Sequence, residues 1–177
     1  MAIRPILRMG AASLFGRAEV VKDFSALPAL IADMRDTMQA TQGVGLAAPQ
    51  IGVNLRLVIF GVPDGKNPRY PDAGTVPETV LINPVITAQD EVIAAGWEGC
   101  LSLPGLLGLV PRFQNIRYQG VDLQGNVIDR LASGFHARVV QHECDHLDGI
   151  LYPMRMKDLS RFGFKEELFP TQQPSAE

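Results

Sequence analysis

Cysteine is scarce in this chain: Cys100 and Cys144 are the only two among 177 residues. That excludes a small secreted scaffold stapled by several bridges and excludes a Cys-x-x-Cys redox pair, leaving room for one disulfide at most. Long apolar runs are missing as well, so no segment reaches the roughly 20 residues that a membrane helix needs. An excess of one charge is also missing: 16 Lys and Arg stand against 19 Asp and Glu, net −3, with no long block of either sign. A general nucleic-acid binder is usually basic. Residues 1–10 carry Arg4 and Arg8 with no uninterrupted apolar stretch behind them and no convincing cleavage site. A reducing compartment is expected, the cytoplasm of a bacterium or an organelle matrix reached by a longer precursor, with no membrane and no nucleic-acid specificity.

What is present is globular. The hydrophobic content is 46%, and a chain of this length holds one sizeable core more readily than two, so a single domain over residues 1–177 is expected. Residues 25–41 place Leu27, Leu30, Ile31, Met34 and Met38 at helical spacing after a candidate Ser25 cap, and the glycine-rich turn at 43–45 ends them. Residues 55–60 alternate poorly but are rich in β-formers, and they run into a Pro-, Gly- and Asp-dense loop at 63–77. Pro84 interrupts the extended segment 80–86 and favours an edge or a bend there. Segments 97–103 and 116–123 look extended, and Gln124-Gly125-Asn126 joins the second to 127–131 as a hairpin. The last strong helix spans 134–147, stopped by Gly149 and Pro153. Strands in the middle flanked by helices make an α+β pattern, without the regular alternation of a parallel sheet.

The chemistry is concentrated in that last helix, where His142-Glu143-Cys144-Asp145-His146 reads His-Glu-x-x-His. Residues four apart share a helix face about 5–6 Å apart, so both imidazoles can address one metal ion. At about 100° per residue Glu143 sits at the edge of the same face, where it can take a proton from water activated by the ion. Cys144 falls on the far side. Two of only three histidines occupy the pattern inside an otherwise apolar segment, which favours a metal site over chance filler. His136 points elsewhere on the wheel and reads as a surface or hydrogen-bonded histidine.

Catalytic sites of this kind keep three protein ligands and one open position. A metzincin protease would need histidine where Tyr152 stands. A thermolysin-like zinc endopeptidase would use a downstream glutamate, for which Glu166 and Glu167 are available beyond Gly163. The other candidate is Cys100. A lone cysteine is more often a small buried residue, yet Gly99 before it permits close backbone approach, and beside the helix motif a Cys–His–His set is favoured.

Three segments, Gly43-Val44-Gly45-Leu46-Ala47-Ala48-Pro49-Gln50, Glu98-Gly99-Cys100-Leu101-Ser102 and Gln141-His142-Glu143-Cys144-Asp145-His146-Leu147-Asp148-Gly149, occur in this order and together resemble the peptide deformylase family. The resemblance implies antiparallel sheets packed around the His-Glu-x-x-His helix, with Cys100, His142 and His146 on the metal and Glu143 as general acid/base. It also implies that the Gln50 side chain and the Leu101 backbone N–H stabilise the oxyanion; on its own Gln50 would read as an ordinary surface amide. Val44 and Gly45, otherwise part of a plain turn, and Gly99 are implied to contact substrate backbone. The apolar stretch 104–108 departs from the commoner bacterial pattern and resembles the subgroup that includes mitochondrial-type enzymes, so no charged substrate contact is carried over to Leu107.

The implied activity is hydrolysis of the N-formyl group from the formyl-methionine of nascent polypeptides, which releases formate. Water activated by the ion attacks the formyl carbon and Glu143 passes its proton to the departing amine. The implied metal in the cell is iron(II); zinc, nickel or cobalt also suit a thiolate with two imidazoles in purified protein. Phe135 and Val139 lie two turns and one turn before His142 near its face, where they line a methionine pocket or simply pack the core. The rivals are the zinc endopeptidase and a non-catalytic metal-binding or ribosome-associated module. The segment 158–169 is open as a ribosome contact.

Overall fold

The run at residues 57–62 alternates poorly because both of its faces are buried. It forms β2 (Leu57–Val62) in a computed structural model that describes residues 2–66 and 74–170. Leu57 and Ile59 pack with Ile31 and Met34 of α1 (Leu27–Ala40), while Val58, Phe60 and Val62 pack with Val139, Val140 and Leu147 of α2 (Gly134–Leu147). Successive side chains of a strand point to opposite faces, so one strand feeds two cores.

The first sheet holds five strands in the order β1 (Gly45–Ala47), β2, β3 (Val76–Ala88), β6 (Asn115–Val121) and β7 (Val127–Ser133). The second holds β4 (Ile93–Cys100), β5 (Leu103–Phe113) and β8 (Phe162–Phe164) in the order β4-β5-β8. All ladders are antiparallel. Helix α2 touches every strand of the first sheet and β5 of the second, so the His-Glu-x-x-His helix is wedged between the two, as the family resemblance implied. A short α3 (Lys165–Leu168) follows β8.

Several local expectations need correction. Ser25 does not cap α1: its backbone N–H and hydroxyl both donate to Asp23, and the N-cap is Ala26 with Pro28 in the first turn. The helix ends on Gln42, whose φ of 52° is left-handed, with Gln42 N–H donating to Gln39 O and Gly43 N–H to Met38 O. That paired pattern satisfies the last carbonyls of the helix. Pro84 bends its strand as expected but not at an edge, because β3 lies between β2 and β6. It falls in a bulge between Ile82 and Val85, where Asn83 adopts φ 53° and its amide bonds both the N–H and the C=O of Val21. A bulge removes the need for the ladder N–H that proline lacks. The extended stretch 97–103 is split at Leu101–Ser102 by a tight turn pairing Cys100 with Leu103. Much of the expected loop at 63–77 lies outside the described residues, and β3 already begins at Val76.

The hairpin of β6 and β7 and the span of α2 match the expectation. Just past α2, Gly149 has φ 71°, and a Cβ there would lie 2.4 Å from Phe15 O. The segment before β1 crosses the helix end at this point, Ala18 N–H donating to Leu147 O at 2.8 Å. Gly149→Ala should lose about 1–3 kcal/mol of stability in chemical denaturation, from left-handed strain plus the clash; an unchanged midpoint would contradict this close crossing.

Candidate metal centre and active-site cleft

Cys100 ends β4 and the two histidines lie one turn apart on α2, so the site is assembled where the second sheet meets the central helix. Cys100 Sγ is 3.2 Å from His146 Nε2, and the potential ligand atoms of Cys100, His142 and His146 all lie within 4.8 Å of one another. His142 donates through Nδ1 to Glu98 Oε2 at 2.9 Å, which fixes its tautomer and turns Nε2 toward a ligand's role. A thiolate and two imidazoles form a donor set of the kind that holds zinc or iron. Among the described residues Glu143 Oε2 is buried beside the centre without a hydrogen-bond partner, a costly arrangement unless the centre binds something polar. These residues fit a divalent cation.

Charge supports the same assignment. Burial opposes ionisation of Cys100, but the imidazoles of His146 and His142 outweigh it and hold the thiol well below its usual range. Burial likewise disfavours imidazolium at His142, yet Cys100 and Glu98 drive its pKa well above normal. Burial pushes the Glu143 carboxyl up to about 7, with the nearby imidazoles opposing that rise. Glu143 rests against β1: a Cβ on Gly45 would lie 2.3 Å from Glu143 Oε1, so only glycine leaves room for that carboxylate.

Gln50 is buried, not a surface amide. Its Oε1 accepts from Ala47 N at 2.9 Å and its Nε2 donates to Ser102 Oγ at 3.1 Å, 3.4 Å from Cys100 Sγ. A cleft opens beside the centre, with Val44, Gly45, Gln50, Gly99, Cys100, Leu101, His142 and Glu143 in its walls. Phe135 and Val139 also line it while packing against the core, so pocket and core roles coexist. His146 is buried and does not line the cleft. Trp97 forms a further wall, backed by Phe169 with ring centroids 5.1 Å apart.

The residues expected elsewhere stay elsewhere. Cys144 lies buried among the core side chains behind α2, and both thiols are free, so the possible disulfide does not form. His136 takes part in a 3.3 Å contact with Tyr118 OH. Glu166 and Glu167 lie exposed on α3 and join no ligand group, which removes the third ligand that the endopeptidase alternative required. Tyr152, in the place of a metzincin histidine, stacks on His142 at 6.1 Å.

Sequence reasoning missed the support behind the ligands. Arg112 donates to both oxygens of Glu98 at 2.9 Å and also to Asp145, and Arg138 donates to Glu98 Oε1 at 2.8 Å. Arg155 continues the chain to Asp145. The available signal was an arginine set among apolar neighbours in Ala137-Arg138-Val139 and Val110-Pro111-Arg112-Phe113, since buried arginine implies a buried acid.

A thiolate, two helical imidazoles, an adjacent buried carboxylate and an amide donor across the cleft define a metallohydrolase-type centre. The polypeptide deformylase family model matches residues 3–162, and the chain belongs to that family. It is 61% identical over 170 residues to peptide deformylase 2 of Ralstonia nicotianae, covering 95% of each chain. It is 60% identical over 172 residues to peptide deformylase 1 of Nitrosomonas europaea, covering 96% of this chain and 97% of the relative. Among solved structures it is similar to the Met-Ala-Ser-bound class I type b peptide deformylase of Acinetobacter baumannii (TM-score 0.82, 37% identity, 88% and 99% covered). It is also similar to the Thermotoga maritima peptide deformylase (TM-score 0.79, 32% identity, 89% and 100% covered).

Gly45→Ala should leave the metal bound but lower turnover about 100-fold, because displacing a general base by an ångström costs about that much. Full activity would mean that Glu143 does not work from the position it holds against β1.

Proposed function

We propose that the chain is a single-domain peptide deformylase that hydrolyses the N-formyl group from formyl-methionyl nascent polypeptides and releases formate. The observation that carries this reading is the convergence of Cys100, His142 and His146 beside the buried Glu143, with Gln50 in the same cleft. A divalent ion held by the three ligands would supply Lewis acidity, lowering the pKa of water and polarising the formyl oxygen. Iron(II) is the metal proposed for the cell, with zinc, nickel or cobalt able to occupy the same donor set.

Glu143 takes the proton of the attacking water and delivers it to the departing amine nitrogen. A carboxyl pushed up to about 7 exchanges protons readily near neutral pH. The Gln50 Nε2 and the Leu101 backbone N–H donate to the oxygen as it becomes an anion; Gln50 is pinned by Ala47 and Ser102, so it needs little reorganisation. Strand β1 is an edge of the first sheet and β4 an edge of the second. An extended peptide entering between them can pair with backbone near Val44, Gly45 and Gly99 as an added strand. Phe135 and Val139 offer apolar surface to the methionine side chain.

No helix among the described residues is long and apolar enough to cross a membrane. We place the enzyme in the cytoplasm, acting on chains as they leave the ribosome.

Glu143→Ala should retain the metal and lose about 10²–10⁴-fold in turnover of formyl-Met-Ala-Ser, followed as formate release. Wild-type activity in that variant would remove Glu143 from the mechanism, and cleavage of internal bonds in an unblocked protein would return the endopeptidase.

A further inference from the structure

The two groups that face the substrate oxygen stand on separate pieces of chain. Gln50 follows β1 in the first sheet, and Leu101 lies in the turn between β4 and β5 of the second. The segment at residues 2–11 crosses both pieces. Leu7 N–H donates to Gln50 O and Met9 N–H donates to Ser102 O, each at 2.8 Å. Ser102 is thereby held at three atoms: its carbonyl by Met9, its hydroxyl by Gln50 Nε2 at 3.1 Å, and its N–H against Cys100 Sγ at 3.4 Å. The far end of the segment is tied to α1. Ala2 N–H and Arg4 Nε donate to the Asp33 carboxylate at 2.8 Å, and Arg4 N–H donates to Thr37 Oγ1 at 2.9 Å. Near the cleft the backbone does the holding, since Met9 is 52% exposed. Ala11 N–H donates to Arg8 O at 3.0 Å and Gly10 has φ 108°, so Met9 is the second residue of a tight turn whose third position favours glycine.

We infer that Met9 is a positioning residue for the oxyanion donors: its backbone N–H, paired with that of Leu7, clamps the Leu101–Ser102 turn against Gln50. This rests on the deformylase reading above. Donors stabilise a developing anion because they are already aimed when the charge appears, and an error of about 1 Å in placement costs about 100-fold. Gln50 and Ser102 touch each other only through flexible side-chain atoms, Nε2 and Oγ. The bonds from Leu7 and Met9 fix the two backbones that carry them, and the anchor on Asp33 and Thr37 fixes the segment that makes those bonds. Met9 touches neither substrate nor metal, so its effect must pass through Gln50 and the turn.

Met9→Pro isolates the bond, because proline is favoured at the second position of such a turn and removes only the N–H. With formyl-Met-Ala-Ser and metal-loaded protein, kcat should fall about tenfold while KM stays within about twofold, a fraction of the loss that deleting a donor outright causes. Metal content and melting temperature should match wild type, and amide hydrogen exchange should quicken in residues 99–104. Met9→Ala removes the side chain but keeps the N–H, and should lose no more than about twofold in kcat. In a Gln50→Ala background the proline substitution should also cost no more than about twofold, since residues acting through one another are not additive. Asp33→Ala frees the far end of the clamp; it should lower kcat about threefold and supplies the answer if the proline variant does not fold. Wild-type kcat in the folded variants, an equal loss in Met9→Ala, or the full loss in the Gln50→Ala background would overturn the assignment and leave the deformylase reading standing. Metal-loaded wild type that releases no formate would overturn both.

Discussion

The carboxylate of Glu98 is the interaction on which the rest of the centre depends. It is buried on β4, accepts from Arg112 on both oxygens, from Arg138 on one and from His142 Nδ1 on the other. Removing a carboxylate from water costs several kcal/mol, and the cost is offset only when its lone pairs are filled with good geometry. Burial alone would raise the Glu98 pKa; His142 and Arg112 reverse that and keep it ionised. The anion orients the imidazole, and it ties β4 to β5 through Arg112 and both strands to α2 through Arg138. Arg112 also reaches Asp145, so the second sheet and the helix carrying the histidines are joined by charge as well as by packing.

The fold supplies the complement to this polar joint. On its other side α2 is held by hydrocarbon, Val139, Val140 and Leu147 against Val58, Phe60 and Tyr118. One helix thus has an apolar face that locates it against the first sheet and a charged face that locates it against the second. His142 and His146 fall at the line between them. Gly45 illustrates how close the tolerance is, because the strand bearing it approaches until Glu143 fills the space a side chain would need.

What was legible in the sequence followed local periodicity. The span of α2, the β6–β7 hairpin and the placing of His142 and His146 on one helix face could be read because helical spacing and turn residues are local signals, whereas Cys100 was favoured only beside that motif and through the family resemblance. What escaped depended on contacts distant in sequence. Pro84 could be read as a bend but not as part of a central strand, since only the pairing of β3 with β6 and the Asn83 bridge to Val21 put it there. Strand β5 was hidden by Pro104, Gly105 and Pro111 and exists through its pairing with β4 and β8. Arg112 and Arg138 lie 14 and 40 residues from the Glu98 they hold, beyond the reach of any periodicity. Gln50 needed the family resemblance, because nothing local distinguishes a buried amide from an exposed one.

That Cys100 completes a metal centre with His142 and His146 is the claim from which the chemistry follows. X-ray absorption at the metal edge of protein purified without oxygen tests it most directly. Iron coordinated by one sulfur and two imidazole nitrogens is the predicted result, with the sulfur contribution gone in Cys100→Ser. A spectrum fitted by nitrogen and oxygen alone, or one that Cys100→Ser leaves unchanged, would contradict it.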